Sequence, residues 1–168
     1  MRLRPIVVPR ARPVAGYRLR PVVVEESAAL ARLTNAAYGD CERVGQADAA
    51  GYRRYLAGSR ARVLVVEEGA GGQLCGLCEI HGRDAAIEGA IVQSGHIASL
   101  AVDPAHRRLG LGRWLLTGGI ELCRDTGWPS VELNVDRDNA AARRLYESAG
   151  FRPAYAFTVY RLDVRRRR

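Results

Sequence analysis

The segment from Val102 to Leu116, VDPAHRRLGLGRWLL, joins a strand-like run to an apolar helical pattern. It places Gly110 and Gly112 among three arginines at the start of the expected helix. The first amides of a helix have no acceptor within it, and the helix dipole adds partial positive charge there. Glycine lets a backbone approach a ligand without a Cβ in the way. The segment therefore predicts a site for a phosphate group.

Two familiar phosphate loops do not fit this segment. A dinucleotide-binding fingerprint requires a third glycine where this chain has Leu115, and a P-loop requires lysine, which is absent from the sequence. A glycine pair at a helix start is also compatible with a simple packing turn, so this segment alone leaves both interpretations open.

Strand and helix patterns alternate on both sides of this segment. With 168 residues, the chain has the length of one domain with its own core. The periodicities predict a mixed α/β fold. We expect strands at 17–24, 61–68, 74–82, 95–102, 130–135 and 154–164, a loop near 83–91, and helices at 25–37, 47–57, 109–126 and 138–150.

The N-terminal residues 1–16 are expected to form an extension rich in arginine and proline. Their LRPIVV at 3–8 recurs as LRPVVV at 19–24, but only the second copy precedes an amphipathic run. Whether the first copy adds an edge strand is left open. Prolines and arginines interrupt every apolar run here, so we expect no secretion signal and a cytoplasmic protein.

The net charge of +8 is concentrated at the two ends of the chain. Residues 1–20 contain six arginines, the basic tail 165–168 contains four, and neither segment contains an acid, so the region between carries a net charge of about −2. Basic tails alone are weak grounds for nucleic-acid binding. We do not expect a nucleic-acid partner.

The cysteines and histidines do not indicate a metal site. Cys75 and Cys78 form a C-x-x-C within an expected strand, where residues three apart point to opposite faces. The three histidines, His81, His96 and His106, have no recognisable ligand spacing. We expect no metal and no disulfide framework.

Two motifs together resemble a known family. RRLGLG, with Arg107, Gly110 and Gly112, matches the R/Q-x-x-G-x-G/A signature of the GNAT superfamily of N-acetyltransferases, and VELNVDRDNAAARRLYESAGF is similar to the second motif of that family. The resemblance covers about 17–163. It implies a single GNAT-like domain over 17–164, with a mixed, mostly antiparallel sheet, a splayed central parallel strand pair and about four flanking helices.

The resemblance implies acetyl-CoA as cosubstrate and an amine as acceptor. The amides of about 109–113 would bind the pyrophosphate, an amide near 100–102 would polarise the thioester carbonyl, and the last helix would lie along the pantetheine. The implied cofactor-binding residues are Leu100, Ala101, Val102, Arg107, Arg108, Leu109, Gly110, Leu111, Gly112, Arg113, Asn134, Asn139, Ala142, Arg143 and Tyr146.

Attack on a thioester requires a neutral amine, which makes a general base necessary. His96 and Glu79 are the candidates. If the hairpin between them is symmetric, they are cross-strand neighbours, and Glu79 would orient His96 and raise its pKa. By resemblance, Tyr146 is the general acid that protonates the leaving thiolate.

Two other functions remain open at this point: a non-catalytic acyl-CoA-binding or regulatory module, and binding to polyanions through the arginine tails. The sequence does not choose among small amines, protein N-termini and lysine side chains as acceptor, and it leaves a homodimer open. Residues that could line the acceptor end are Tyr38, Asp40, Glu42, Tyr52 and Tyr55.

Overall fold

Within the residues that the structure describes, the fold is one six-stranded sheet with helices on both faces. A computed structural model describes residues 1–39, 45–58, 61–87 and 89–158. Strand order is β1-β6-β5-β4-β3-β2, with every neighbouring pair antiparallel except β5 and β6. The strands are β1 (Arg2–Leu3), β2 (Tyr17–Pro21), β3 (Arg62–Glu68), β4 (Leu74–Ile87), β5 (Ala90–Val102) and β6 (Val131–Leu133). The helices are α1 (Ser27–Tyr38), α2 (Ala49–Gly58), α3 (Leu111–Asp125) and α4 (Ala140–Ser148), with 3-10 turns at Val24–Glu26 and Pro104–His106.

This architecture confirms the predicted fold class, including the single parallel pair among the described residues. None of the helices in the described ranges is long and apolar enough to cross a membrane.

The prediction of a loop near 83–91 is wrong. β4 and β5 remain paired down to Ile87 and Ala90, and Gly89 lies in the turn between them. Ala85 and Ile87 are buried while Asp84 and Ala86 are exposed, the alternation of a strand with one covered face.

The final strand expected at 154–164 is not formed in its described part, because 154–158 has no regular secondary structure. The remaining positions, 159–164, lie outside the described residues. The outer edge of β6 is instead paired with β1. Arg2 in turn exchanges two backbone hydrogen bonds with Arg152, both 2.9 Å long, so the start of the chain lies between β6 and the segment around Arg152.

The question left open about the N-terminal extension is thereby answered: it contributes an edge strand. Leu3 is buried in the core, and Arg2 donates from Nε to Oε1 of Glu132 over 2.6 Å. Apolar side chains of the extension, among them Ile6 and Val8, pack against the same core. Part of residues 1–16 therefore belongs to the folded body.

Ion pairs hold β2 to β3 and engage more of the N-terminal arginines. Arg18 and Arg20 both donate to the carboxylate of Glu67, which is fully buried. These contacts keep the pKa of Glu67 low, at about 2, with the hydrogen bond from Arg20 as the largest cause. Some arginines of the basic N-terminal segment thus form ion pairs with buried acids inside the fold. These contacts weaken the hypothesis that the segment binds polyanions.

Helix α3 packs closely against one face of the sheet through glycines. A Cβ on Gly119 would lie 2.9 Å from Sγ of Cys78, and one on Gly118 would lie 2.9 Å from Cδ2 of Leu19. On the strand side, a Cβ on Gly76 would lie 2.7 Å from Cδ1 of Leu115. Contacts this short leave no room for a methyl group. Helices α1 and α2 cover the other face.

Two β-bulges interrupt the alternation of side chains. Around the first, Val66 pairs with Gly76 and Glu67 with Leu74, so Cys75 is the extra residue. The bulge overturns the expectation that Cys75 and Cys78 lie on opposite faces, because both thiols belong to the core cluster beneath α3.

The second bulge lies in β5. Ile80 pairs with Ile97 and Glu79 with Ser99, which leaves Ala98 unpaired. A bulge bends its strand and changes the direction of the side chains that follow. This one lies where β5 loses its neighbour β6.

Candidate active site

The central feature of the site is a gap between β5 and β6. The two strands pair in parallel only at Gly95–Ile97 and Val131–Leu133. β6 ends at Leu133, whereas β5 continues to Val102, so one edge of β5 faces the gap from Ala98 onward. Unpaired strand edges offer backbone donors and acceptors to a ligand.

The direction of the backbone groups along this edge follows from one hydrogen bond. The amide of Asp103 donates to the carbonyl of Cys75 in β4 over 2.8 Å. Because amides alternate sides along a strand, those of Val102 and Leu100 point into the gap, and that of Ala101 points toward β4. Of the three residues expected to polarise the thioester, Leu100 and Val102 therefore have the required direction.

The loop at one end of the gap leads into the first turn of α3, whose amides lack an acceptor within the helix. Gly110 is the N-cap of α3 with φ 91°, and Arg108 also has a positive φ of 68°. The first bond inside the helix runs from Trp114 N to Gly110 O over 3.1 Å, so the amides of 111–113 have no acceptor within α3. The three amides of 111–113 form the phosphate cradle, which can bind a pyrophosphate.

The arginines around this cradle have different surroundings. Arg107 donates to the carbonyls of Val102 (3.3 Å) and Ala37 (3.2 Å), and so ties the end of α1 to the end of β5. Arg113 donates to Oγ of Ser148 over 2.8 Å and links α3 to α4. Arg108 and Leu109 are exposed.

Helix α4 presents the residues of the second motif beside the gap. Asn139 caps the helix through Oδ1, which accepts from the amide of Ala142 over 3.0 Å, while Asn134 and Arg143 are exposed. Tyr146 is 7% exposed, and its ring packs edge-on against Phe151 with centroids 6.0 Å apart. Burial raises the pKa of Tyr146, so the phenol is protonated at neutral pH.

The prediction that Glu79 and His96 are cross-strand neighbours is wrong. His96 lies opposite His81, and Glu79 lies opposite Ser99. A hairpin centred midway between the two residues would pair them, but the turn contains Gly89 and the bulge at Ala98 shifts the register again.

The surroundings of His96 disfavour it as a base. Burial lowers its pKa to about 4, and the positive fields of His81 and Arg83 act in the same direction. Its ring lies 5.1 Å from that of His81, and its buried Nδ1 makes no hydrogen bond to any residue that the structure describes. The prediction that Glu79 raises the pKa of His96 is therefore wrong, because this pKa lies below its ordinary value.

The surroundings of Glu79 favour it as a general base. Burial raises the pKa of its carboxyl, and a hydrogen bond from Tyr52 acts against that increase. The hydroxyl of Tyr52 lies 2.7 Å from Oγ1 of Thr34. The pKa of Tyr55 is raised to about 12 by burial and by the charge of Glu79. A half-buried carboxylate among phenols is therefore present on the α1–α2 face.

The hydroxyl of Tyr38, at the end of α1, contacts the part of β5 that borders the gap. Oη of Tyr38 lies 2.9 Å from Oγ of Ser99 and 3.3 Å from the carbonyl oxygen of Leu100. Thr34 and Ser99 were not predicted from the sequence, because the contact of Thr34 depends on how α1 packs on α2 and the contacts of Ser99 depend on strand register. Of the residues suggested for the acceptor end, Asp40 and Glu42 lie outside the described residues.

These features agree with the comparison to known families. A model of the "Acetyltransferase (GNAT) family" matches residues 28–151. This chain belongs to the GNAT family. Among curated relatives, a mycothiol acetyltransferase of Thermomonospora curvata is 46% identical over 70 residues, which is 42% of this chain and 22% of that protein. The match thus spans about a fifth of the relative's length.

Solved structures share the same GNAT fold. An aminoglycoside acetyltransferase from an uncultured soil metagenomic sample superposes with a TM-score of 0.71 at 18% identity, covering 88% of this chain and 97% of that one. A ribosomal-protein-alanine N-acetyltransferase from Brucella melitensis gives 0.70 at 18% identity, covering 87% and 99%.

The cradle leads to a first prediction. Gly110→Ala places a side chain at φ 91°, a conformation that costs an L-residue about 1–2 kcal/mol. We expect the loop to shift and CoA binding to weaken at least about tenfold, as measured by calorimetry. Gly127→Ala is the matched control: its φ is 81°, its Cβ would meet nothing within 4 Å, and it lies beyond the far end of α3. Both variants should lose similar thermal stability, and equal CoA affinity in the two would contradict the cradle.

Proposed function

We propose that this GNAT chain is an N-acetyltransferase that moves an acetyl group from acetyl-CoA to a primary amine by direct attack within a ternary complex. The observation that carries the proposal is the separation of β5 from β6 beside the free first-turn amides of α3. Acetyl-CoA supplies the thioester. The cradle and the gap fit its pyrophosphate and its pantetheine arm, respectively.

The chain's own groups provide for each requirement of the reaction. The backbone amides of 111–113 bind the pyrophosphate, and the side-chain nitrogen Nδ2 of Asn139 donates to the pantetheine. The amide of Leu100 or Val102, fixed in direction by the strand, stabilises negative charge that develops on the carbonyl oxygen. Arg107 holds the walls of the site in place.

Two side chains move the protons. Glu79 removes a proton from the attacking amine, directly or through the hydroxyls of Tyr52 and Tyr38. As the carbon–nitrogen bond forms and the carbon–sulfur bond breaks, Tyr146 donates its proton to the leaving thiolate. Its raised pKa keeps that proton in place beforehand.

The acceptor is proposed to be a small polar amine, because hydroxyls of Thr34, Tyr38, Tyr52 and Ser99 surround the expected approach to Glu79. The named relatives acetylate different kinds of acceptor, and they supply the panel for a test. We further propose a cytoplasmic enzyme with one catalytic domain over 17–164, to which the N-terminal strand adds an edge.

The experiment is thiol release from acetyl-CoA in the presence of alkyl amines, aminoglycosides and peptides with N-terminal alanine. We expect amine-dependent release with at least one class. If calorimetry shows CoA binding but no acceptor causes thiol release, the chain is instead a non-catalytic CoA-binding module. If CoA does not bind at millimolar concentration, both the acetyltransferase and the CoA-binding module are refuted.

A further inference from the structure

Three metal-ligating side chains, distant in sequence, converge outside the gap. Glu68 ends β3, Cys75 is the bulge residue of β4, and His106 lies in the 3-10 turn before the phosphate cradle. One ligand atom from each lies within 4.8 Å of the other two. The proposed acetyl transfer does not use any of them.

The spacing suits a tetrahedral ion. Zinc binds sulfur at about 2.3 Å and nitrogen or oxygen at about 2.0–2.2 Å, so its ligand atoms lie roughly 3.3–3.8 Å apart. Nε2 of His106 is 3.7 Å from Oε2 of Glu68, already within that range. The two spacings that involve Sγ of Cys75 are within 4.8 Å, about 1 Å or less beyond that range.

The surroundings hold the donors in place. The hydrogen bond from the amide of Asp103 to the carbonyl of Cys75 fixes the turn against the bulge. Oδ1 of Asp103 lies 3.7 Å behind Nδ1 of His106, which is buried and makes no hydrogen bond in the described part of the chain. A carboxylate behind the imidazole is typical of histidines that bind metal through the other nitrogen. The ring of Tyr17 packs edge-on against His106, with centroids 6.0 Å apart.

We propose that Glu68, Cys75 and His106 bind a divalent transition-metal ion of the zinc type, with water in the fourth position. A thiolate, an imidazole and a carboxylate form a donor set that zinc accepts. Glu68, with 58% of its side chain exposed, provides access from solvent.

Binding requires a proton to leave the site. The thiol of Cys75 donates to the carbonyl of Gln73 over 3.2 Å, and burial raises its pKa. The metal–sulfur bond replaces the sulfur–hydrogen bond, and the proton passes to solvent. Binding should therefore strengthen as pH rises.

The test is titration of the full, reduced, metal-free chain with Co²⁺ as a spectroscopic probe, followed by displacement with Zn²⁺. We expect one equivalent to bind with thiolate-to-cobalt charge-transfer absorption in the near ultraviolet. Cys75→Ala should abolish this absorption. Glu68→Gln, at an exposed position that cannot unfold the chain, should weaken binding at least about tenfold.

Cys78→Ala is the matched control, because it removes the other thiol of the C-x-x-C and should leave the absorption unchanged. The proposal is overturned if the wild-type chain shows no charge-transfer band, if Cys75→Ala retains it, or if Glu68→Gln binds as tightly as wild type. No acetyl transfer is measured, so the result is independent of the proposed function.

Discussion

Tyr146→Phe is expected to lower kcat by about a hundredfold or more, the contribution usual for a positioned general acid. The substitution removes the proton that the thiolate would receive and preserves the ring that packs on Phe151. CoA affinity should therefore stay close to wild type. Steady-state thiol release and calorimetry measure the two quantities separately.

Tyr155→Phe is the matched control, since Tyr155 is 49% exposed and its hydroxyl donates over 3.4 Å to Glu132, in the part of β6 that is still paired with β5. Its kcat should be unchanged. Because burial raises the pKa of Tyr146, wild-type activity should show no decline from loss of this proton until pH exceeds the ordinary tyrosine range near 10. Turnover of Tyr146→Phe within twofold of wild type would remove the hydroxyl from the mechanism.

Glu79→Gln is expected to lower kcat/KM at neutral pH by about a hundredfold. The base must be deprotonated, and burial raises the pKa of Glu79 above its usual value. Wild-type activity should therefore fall as pH decreases through that raised pKa, and this acidic limb should be absent from Glu79→Gln. Two acceptors with different amine pKa values separate the effects, because only the limb of the acceptor moves with its identity.

His96→Ala is the companion variant. With a pKa of about 4, His96 is neutral over the working range and a weak base, so its removal should change kcat/KM less than twofold. A large loss in His96→Ala together with a small loss in Glu79→Gln would reverse the assignment.

The features that could be predicted from the sequence are mainly those set by residues close together along the chain. The entry to α3 is encoded within the segment around Gly110, where amide direction and helix start depend only on nearby residues. The fold class followed from periodicity and the family resemblance. Tyr146 could be placed by its position on a helix whose cap, Asn139, lies a few residues away.

What could not be predicted depends on pairing between strands. Neither bulge has a signature in one strand, because an extra residue is defined only against a partner. The position of the turn at Gly89 placed His96 opposite His81, and the bulge at Ala98 then placed Glu79 opposite Ser99. The bulge at Cys75 moved a thiol toward Glu68 and His106. Arg2 could not be assigned to a strand either, since its partner Glu132 is distant along the chain.

The glycine contacts between α3 and the sheet also bear on which thioesters the chain can use. At Gly118 and Gly119 the helix backbone lies against the side chains of Leu19 and Cys78, so the position of α3, and with it the distance from the pyrophosphate amides to the β5 edge, depends on the volume of those side chains. Substitutions that enlarge them should displace α3 and weaken CoA binding, while acyl-length preference should change less. That preference would be decided by the few side chains that border the open end of the slot.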